Sequence, residues 1–284
     1  MVLDPFIAAL VLAAAFMHAG WNALVKGAGE SRVVIFAVIT LGGSVLSLPF
    51  IPFVSFPAPA AWPFLAASAV IHYLYYCFLL LSYREGDLSH VYPVARGVAP
   101  LLVAVGGYLF AGEELGSIAL AGVAVTSLGI MSLALSGGRA GARNLRPLGF
   151  ALATGVFIAG YTVVDGMGVR TAGDRIGYIV WLFVLEGIPF LVWALFWNAR
   201  GMLAYLRARP WTALAGSGCH AGAYALVIFA MSLGAMAPIS ALRETSTILA
   251  AVIGALVFRE SFGPRRILAA VVVTAGVILM NIGG

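Results

Sequence analysis

The sequence predicts an all-α integral membrane protein, built as ten transmembrane helices in two inverted five-helix repeats. Three observations predict it. First, 62% of the 284 residues are hydrophobic and only 10% are charged. An average soluble domain is about 45–50% apolar and about 25% charged. Packing this excess into a soluble core would leave broad apolar patches in water. Second, no Asp, Glu, Lys or Arg occurs from Val33 to Tyr83, a run of 51 residues, and a bilayer-spanning helix needs roughly 20. Third, the second half of the chain echoes the first. The composition excludes a cytosolic enzyme, a nucleic-acid binder and a secreted disulfide scaffold. The net charge of +5 comes from basic residues scattered singly between apolar runs, a pattern of membrane orientation rather than of a nucleic-acid surface.

Charges, prolines and glycine clusters divide the chain into apolar segments at 6–25, 33–54, 61–83, 88–110, 115–136, 147–166, 176–198, 210–233, 238–258 and 265–282. Each has the length of a spanning helix. The alternation of a lipid-facing β-strand is absent, so helices satisfy the backbone. The first segment has Asp4 and Pro5 before it and no basic residue, so it reads as a mature span rather than a signal peptide. Cys77 and Cys219 lie within apolar segments and read as small hydrophobes. Gly218 and Gly222 stand at the spacing that lets helix backbones approach closely.

At an offset of 147, residues 83–133 align without gaps on 230–280, with ten identities. Two of these, Arg96/Arg243 and Glu113/Glu260, involve charged residues, which are scarce in this chain. At an offset of 148, His72-x-x-x-Tyr76 falls on His220-x-x-x-Tyr224, and at 140 Ala19-Gly20-Trp21-Asn22 falls on Ala159-Gly160-Tyr161-Thr162. Spans 1–5 therefore correspond to spans 6–10, with repeats at 1–138 and 139–284. An odd number of spans per repeat turns the second copy upside down. That is the architecture of secondary transporters, whose site lies between the halves near the bilayer midplane.

Polar groups inside the membrane are costly and mark cavities or pathways. The candidate binding residues are Trp21, Asn22, His72, Tyr76, Tyr161, His220 and Tyr224. Their rings and two-way hydrogen bonding suit a ligand with a ring and a zwitterionic end. Intrahelical bonding and an interfacial aromatic belt are the competing readings for single members. Arg96, Arg243, Glu244 and Glu186 are candidates for gating or coupling. The two arginines are expected on opposite sides of the midplane, each at one end of the cavity, with helix-end snorkelling as the competing reading for Arg243. Glu186 is mid-span with no counterpart in span 2, and Asp165 reads as a solvated helix end.

Gly216-Ser217-Gly218 near His220 is the sole hint of hydrolytic chemistry, and no metal-ligand spacing or phosphate loop accompanies it. Neither metal nor cofactor is expected, and the partners are a small solute and lipid. One chain carries both halves of the site, so a monomer suffices.

The five-helix duplicated unit resembles the drug/metabolite transporter superfamily. The residues that carry the resemblance are Trp21-Asn22, Gly112-Glu113 followed by Gly122 and Gly129, and Arg259-Glu260 with Gly276. The chain is most similar to the superfamily's ten-helix EamA branch and, within it, to bacterial amino-acid exporters of the YddG type. The resemblance implies export of neutral or aromatic amino acids across the cytoplasmic membrane by alternating access. Other cargoes, a drug-like cation, a nucleotide precursor or a nucleotide sugar, stay open, as do a membrane enzyme and an assembly subunit. Span 1 has His18 and lacks the glutamate that short multidrug members of the superfamily use for proton exchange. Loops 1–2, 3–4, 5–6, 7–8 and 9–10 hold twelve Lys and Arg, while the opposite loops hold Arg170 and Arg175. The positive-inside bias places both termini outside.

Overall fold

The computed structural model describes residues 3–27, 32–85, 88–136, 146–259 and 263–282. The helices are α1 (Pro5–Gly27), α2 (Arg32–Ser47), α3 (Trp62–Glu85), α4 (Leu88–Ala111), α5 (Ser117–Ser132) and α6 (Arg146–Thr171). They continue as α7 (Arg175–Trp193), α8 (Ala199–Ala208), α9 (Pro210–Met231), α10 (Met236–Arg243), α11 (Ser246–Phe258) and α12 (Pro264–Ile282). No strand occurs among the described residues. Among the described residues nine candidate spans are long and apolar enough to cross a bilayer, and α5 is a shorter apolar helix. The expected repeat boundary at 138/139 and Glu260 lie outside the described residues, as do Arg139 and Arg143.

The main packing contacts cross between the two halves of the sequence. α3 lies on α6 and α1 on α9, α4 also contacts α6 and α11 contacts α1, and α2 packs on α7 and α5 on α12. Apolar side chains such as Phe53, Phe196, Trp211 and Leu256 remain outward-facing and exposed, which suits hydrocarbon as the solvent. Without a hydrophobic drive between helices in lipid, close packing of small residues holds them together. Gly122 and Gly276 show it: a Cβ on Gly122 would sit 2.7 Å from Gly276 O, and one on Gly276 would sit 2.8 Å from Gly122 O. Gly222 likewise faces Met17, whereas nothing packs against Gly218. The small-residue reading of that pair therefore holds at one of its two positions.

Several elements depart from the apolar segmentation. The span at 33–54 ends in 3-10 turns over Leu48–Phe53, where Pro49 and Pro52 interrupt regular bonding. The span at 147–166 runs on to Thr171, so Asp165 is interior to α6 rather than at its end. The span at 176–198 ends α-helically at Trp193 and passes through a π turn at Ala194–Asn198. The amphipathic α8 follows, burying Met202 and carrying Arg200 and Arg207, the pattern of an interfacial helix. The span at 238–258 is broken. Between α10 and α11 the bonds Glu244 N–Ala241 O, Thr245 N–Leu242 O, Thr247 N–Glu244 O and Ile248 N–Thr245 O, each 3.0–3.1 Å, tighten the chain to i→i−3 spacing. Thr245 Oγ1 and Thr247 Oγ1 donate to the Leu242 and Glu244 carbonyls at 2.7 and 2.8 Å. Such hydroxyls compete for helical backbone bonds. Arg243 and Glu244 sit at this interruption.

The repeat alignment has a backbone signature. Gly112 closes α4 in the left-handed region at φ 63°, and Arg259, its partner at offset 147, closes α11 at φ 55°. Left-handed geometry is easy for glycine and strained for arginine. After Gly112, Glu113 N–H returns to Gly107 O at 3.0 Å. The Glu113 carboxylate then meets Arg170 Nη2 at 2.6 Å and accepts from Met236 N at 2.9 Å. Arg170 also donates to Met231 O and Gly234 O at 2.9 and 2.7 Å. These bonds tie the ends of α4, α6 and α9 together. On the next loop, Asp174 caps α7 through Ile176 N at 3.0 Å and holds Ser55 N at 2.8 Å.

Candidate functional site

α1, α2, α3, α4, α6, α7, α9 and α10 enclose a cavity of about 60 Å³, part of it open to the outside. That is well below the roughly 300–1,000 Å³ of small-ligand sites, so a ring-bearing solute enters only if the walls move apart. The first half of the chain lines it with Ala14, His18, Trp21, Phe36, His72, Tyr75, Tyr76 and Arg96. The second half supplies Tyr161, Glu186, His220, Ala223, Tyr224 and Arg243.

An aromatic cage forms one wall. His72 stacks on Tyr161, their ring centroids 4.0 Å apart and 19° from parallel. Tyr224 meets both edge-on, at 5.5 Å from His72 and 5.6 Å from Tyr161. Tyr75 lies 5.5 Å from Tyr161, and Tyr76 packs at 5.2 Å against both Phe36 and Phe190. Elsewhere on the wall Trp21 stands edge-on to His18 and to His220, each at 5.3 Å. Edge-to-face pairs of this kind add about 0.5–1.5 kcal/mol each beyond area burial. They also hold the rings in set orientations.

Helical spacing explains the convergence. In each His-x-x-x-Tyr pair an i, i+4 separation puts both side chains on one face, so α3 and α9 each turn a histidine and a tyrosine inward. Neither pair is joined by a hydrogen bond of its own. His72 Nδ1 bonds to Ser68 O at 2.9 Å. Tyr224 donates to Asp165, whose other oxygen accepts from Tyr178 at 2.9 Å. Asp165 is therefore no solvated terminus: it is fully buried and fastens α7 and α9 to α6.

The charged groups also differ from their expected places. Arg96 Nε lies 2.6 Å from Glu244 Oε2, and Arg243 Nε lies 3.4 Å from Glu244 Oε1. Both arginines meet one carboxylate, so they do not divide between opposite ends of the cavity. The helix break explains this, because it carries Arg243 and Glu244 into the interior facing α4. Arg243 is 4% exposed, which removes the snorkelling reading. Arg96 Nη2 also reaches Ser246 Oγ at 3.4 Å, whereas Arg243 Nη2 has no hydrogen-bond partner. Glu186, a gating or coupling candidate in the sequence, is buried on the cavity wall. His72 Nδ1 lies 3.0 Å from Glu186 Oε1. That nitrogen directs its bond to Ser68 O instead, which leaves Glu186 Oε1 without an aligned donor.

Of the expected binding residues, Trp21, His72, Tyr76, Tyr161, His220 and Tyr224 line the cavity. Asn22 does not. Its Nδ2 donates to His18 O at 2.7 Å, one turn back in α1, and that local bond uses the amide within its own helix. Its helical partner by repeat, Thr162, is also turned to its own backbone, at Ile158 O and 2.6 Å. Sequence reasoning missed His18, Phe36 and Tyr75 as wall residues. His18 and Tyr75 carried a signal, since they share helical faces with Trp21 and His72.

Comparison with known proteins places this geometry in context. The profile described as "EamA-like transporter family" matches residues 5–135 and again residues 145–282. A solved structure titled "Crystal structure of protein" superposes with a TM-score of 0.76 over 98% of this chain and 97% of the other, at 14% identity. At that identity the likeness speaks for the fold. Among curated proteins nothing matches.

Proposed function

The chain belongs to the EamA-like transporter family, and on that premise we propose that it exports neutral, preferably aromatic, amino acids as a secondary carrier. The observation that carries the reading is the cavity between the two matched halves, with rings from both on its wall. Six of the aromatic and histidine side chains anticipated for a ring-bearing zwitterion line it. The YddG-type exporters, which the sequence resembles, offer a functional analogy. Transport proceeds by alternating access, the halves rocking about the cavity, with no chemical step and no cofactor.

Ten spans in two inverted repeats, divided near residue 138, fit this mechanism. The tenth span is α5 with its 3-10 extension Leu133–Ser136. At about 1.5 Å per α residue and about 2.0 Å per 3-10 residue, these 20 residues reach roughly 32 Å, the thickness of a hydrocarbon core. The basic loops face the cytoplasm of a bacterium and both termini face outward. In this reading Trp21, His72, Tyr76, Tyr161, His220 and Tyr224 contact the cargo, and Arg96, Arg243, Glu244 and Glu186 serve gating or coupling.

Purified protein in liposomes loaded with phenylalanine, methionine or threonine tests the proposal by uptake of the same labelled amino acid. Exchange of at least one supports it. A lipophilic organic cation is the competing cargo, favoured by the buried Glu186 carboxylate on the wall. Exchange of such a cation with no amino-acid exchange would replace the first reading by the second.

A further inference from the structure

At the broken helix two guanidinium groups face one carboxylate. Arg96, Arg243 and Glu244 are 3%, 4% and 0% exposed. Arg96 is the nearer to Glu244: its Nε lies 2.6 Å from Oε2, though out of hydrogen-bond alignment, and its Nη2 reaches Ser246 Oγ. Arg243 is held more loosely. Among the described residues its one polar contact is the 3.4 Å hydrogen bond from Nε to Glu244 Oε1, and its Nη2 finds no acceptor. Arginine stays protonated in proteins, so one carboxylate against two guanidiniums leaves one formal positive charge unmatched. A buried charge lacking a partner is strongly destabilising. A guanidinium presents its donors as a planar fork matched to a carboxylate. Arg243 is also on the cavity wall, together with the rings of Tyr161 and Tyr224.

We propose that Arg243 is the carboxylate-binding subsite of the cavity, so that the carrier selects ring-bearing solutes that possess a carboxylate. This rests on the amino-acid reading above and sharpens it. The ring of the solute lies in the cage of His72, Tyr161 and Tyr224 while its carboxylate completes the coordination of Arg243. Arg96, held on Glu244, fixes the opposite edge of that carboxylate and keeps Glu244 from neutralising Arg243 fully. A solute that keeps the ring but lacks the carboxylate leaves the guanidinium unmatched, and exclusion follows from that missing partner rather than from shape.

The test uses three ligands that share a phenyl ring: phenylalanine, 3-phenylpropionate without the ammonium, and phenethylamine without the carboxylate. Binding to detergent-purified wild type, Arg243→Gln and Arg243→Lys is measured, with monodispersity and unfolding temperature as folding controls. Wild type should bind phenylalanine and phenylpropionate more tightly than phenethylamine. Arg243→Gln should weaken both carboxylates about 10- to 150-fold, the equivalent of about 1.5–3 kcal/mol for a hydrogen bond to a charged group, and leave phenethylamine within about twofold. Arg243→Lys, which keeps the charge without the fork, should fall between them. An equal loss for all three ligands in a folded variant makes Arg243 structural and overturns the proposal, as does unchanged carboxylate binding. If Arg243→Gln fails to fold, Arg243→Lys and the wild-type ligand order decide. Wild type that binds phenylalanine with no preference for carboxylates sinks this subsite alone. Wild type that binds none of the three, or phenethylamine alone, sinks the amino-acid reading with it.

Discussion

Asp165 offers the sharpest test of how the cavity is held. It is fully buried in α6 and accepts from Tyr178 of α7 and Tyr224 of α9. Asp165→Asn keeps the volume but removes one accepting oxygen, and its amide then faces a hydroxyl donor. One of the two charge-assisted bonds is lost, at about 1.5–3 kcal/mol. Tyr224→Phe removes one donor from the other side and should cost a similar amount. The two changes touch the same bond, so the double variant should cost less than the sum of the singles, with a coupling of about 0.5–3 kcal/mol. Equilibrium unfolding of the four proteins in mixed micelles measures this. Tyr224 is also a cage ring, edge-on to His72 and Tyr161. Releasing its hydroxyl should therefore weaken phenylalanine binding by about 2- to 13-fold, the worth of one aromatic pair at about 0.5–1.5 kcal/mol. Additive single effects with unaltered affinity would refute the idea that Asp165 positions the cage.

Other expected outcomes concern the frame. Gly276→Leu drives a side chain into the Gly122 carbonyl of α5. It should cost about 1–3 kcal/mol or more by overpacking, seen as a lower unfolding temperature at unchanged helix content. Arg259→Gly relieves the left-handed strain at φ 55° and should stabilise by about 0.5–1 kcal/mol in the same assay; a loss of stability would deny that strain. Partial burial raises the Asp174 carboxyl, but N–H donors from Gly177, Ser55 and Ile176 outweigh it and hold the group below its usual value of 3.8. A depressed carboxylate contributes stability above that usual value and loses it as pH falls through the folded value. Amide exchange at Ser55 and Ile176 should therefore quicken relative to the intrinsic rate below about pH 4, and Asp174→Asn should abolish that dependence.

The spans were legible because charge-free runs of the right length have one solution in lipid, and the repeat was legible because Arg96/Arg243 stand out in a charge-poor chain. The break between α10 and α11 was not, although the polar run Arg243-Glu244-Thr245-Ser246-Thr247 marks its place: the segment as a whole is apolar enough to pass for one span, and the interruption comes from hydroxyl and backbone competition. That hidden break is why two arginines expected at opposite ends meet at Glu244. At the site, the His-x-x-x-Tyr pairs carried their own geometry, because i, i+4 spacing fixes a common face. Asp165 was misread because Gly166 looked like a helix end, although α6 runs five residues further, to Thr171. Asn22 was misread because composition cannot tell an amide facing a cavity from one bonded to its own helix, as this one is at His18 O.

The central claim is that one cavity receives the solute and opens to each side of the membrane in turn. Ala223 lines that cavity, and of the two native thiols Cys77 is exposed and Cys219 partly so. An Ala223→Cys variant with both native cysteines replaced by alanine can be treated with a membrane-impermeant thiol reagent from either side. The account predicts labelling from both sides, slowed from both by saturating phenylalanine. Labelling from one side alone, or labelling that phenylalanine leaves untouched, would contradict it.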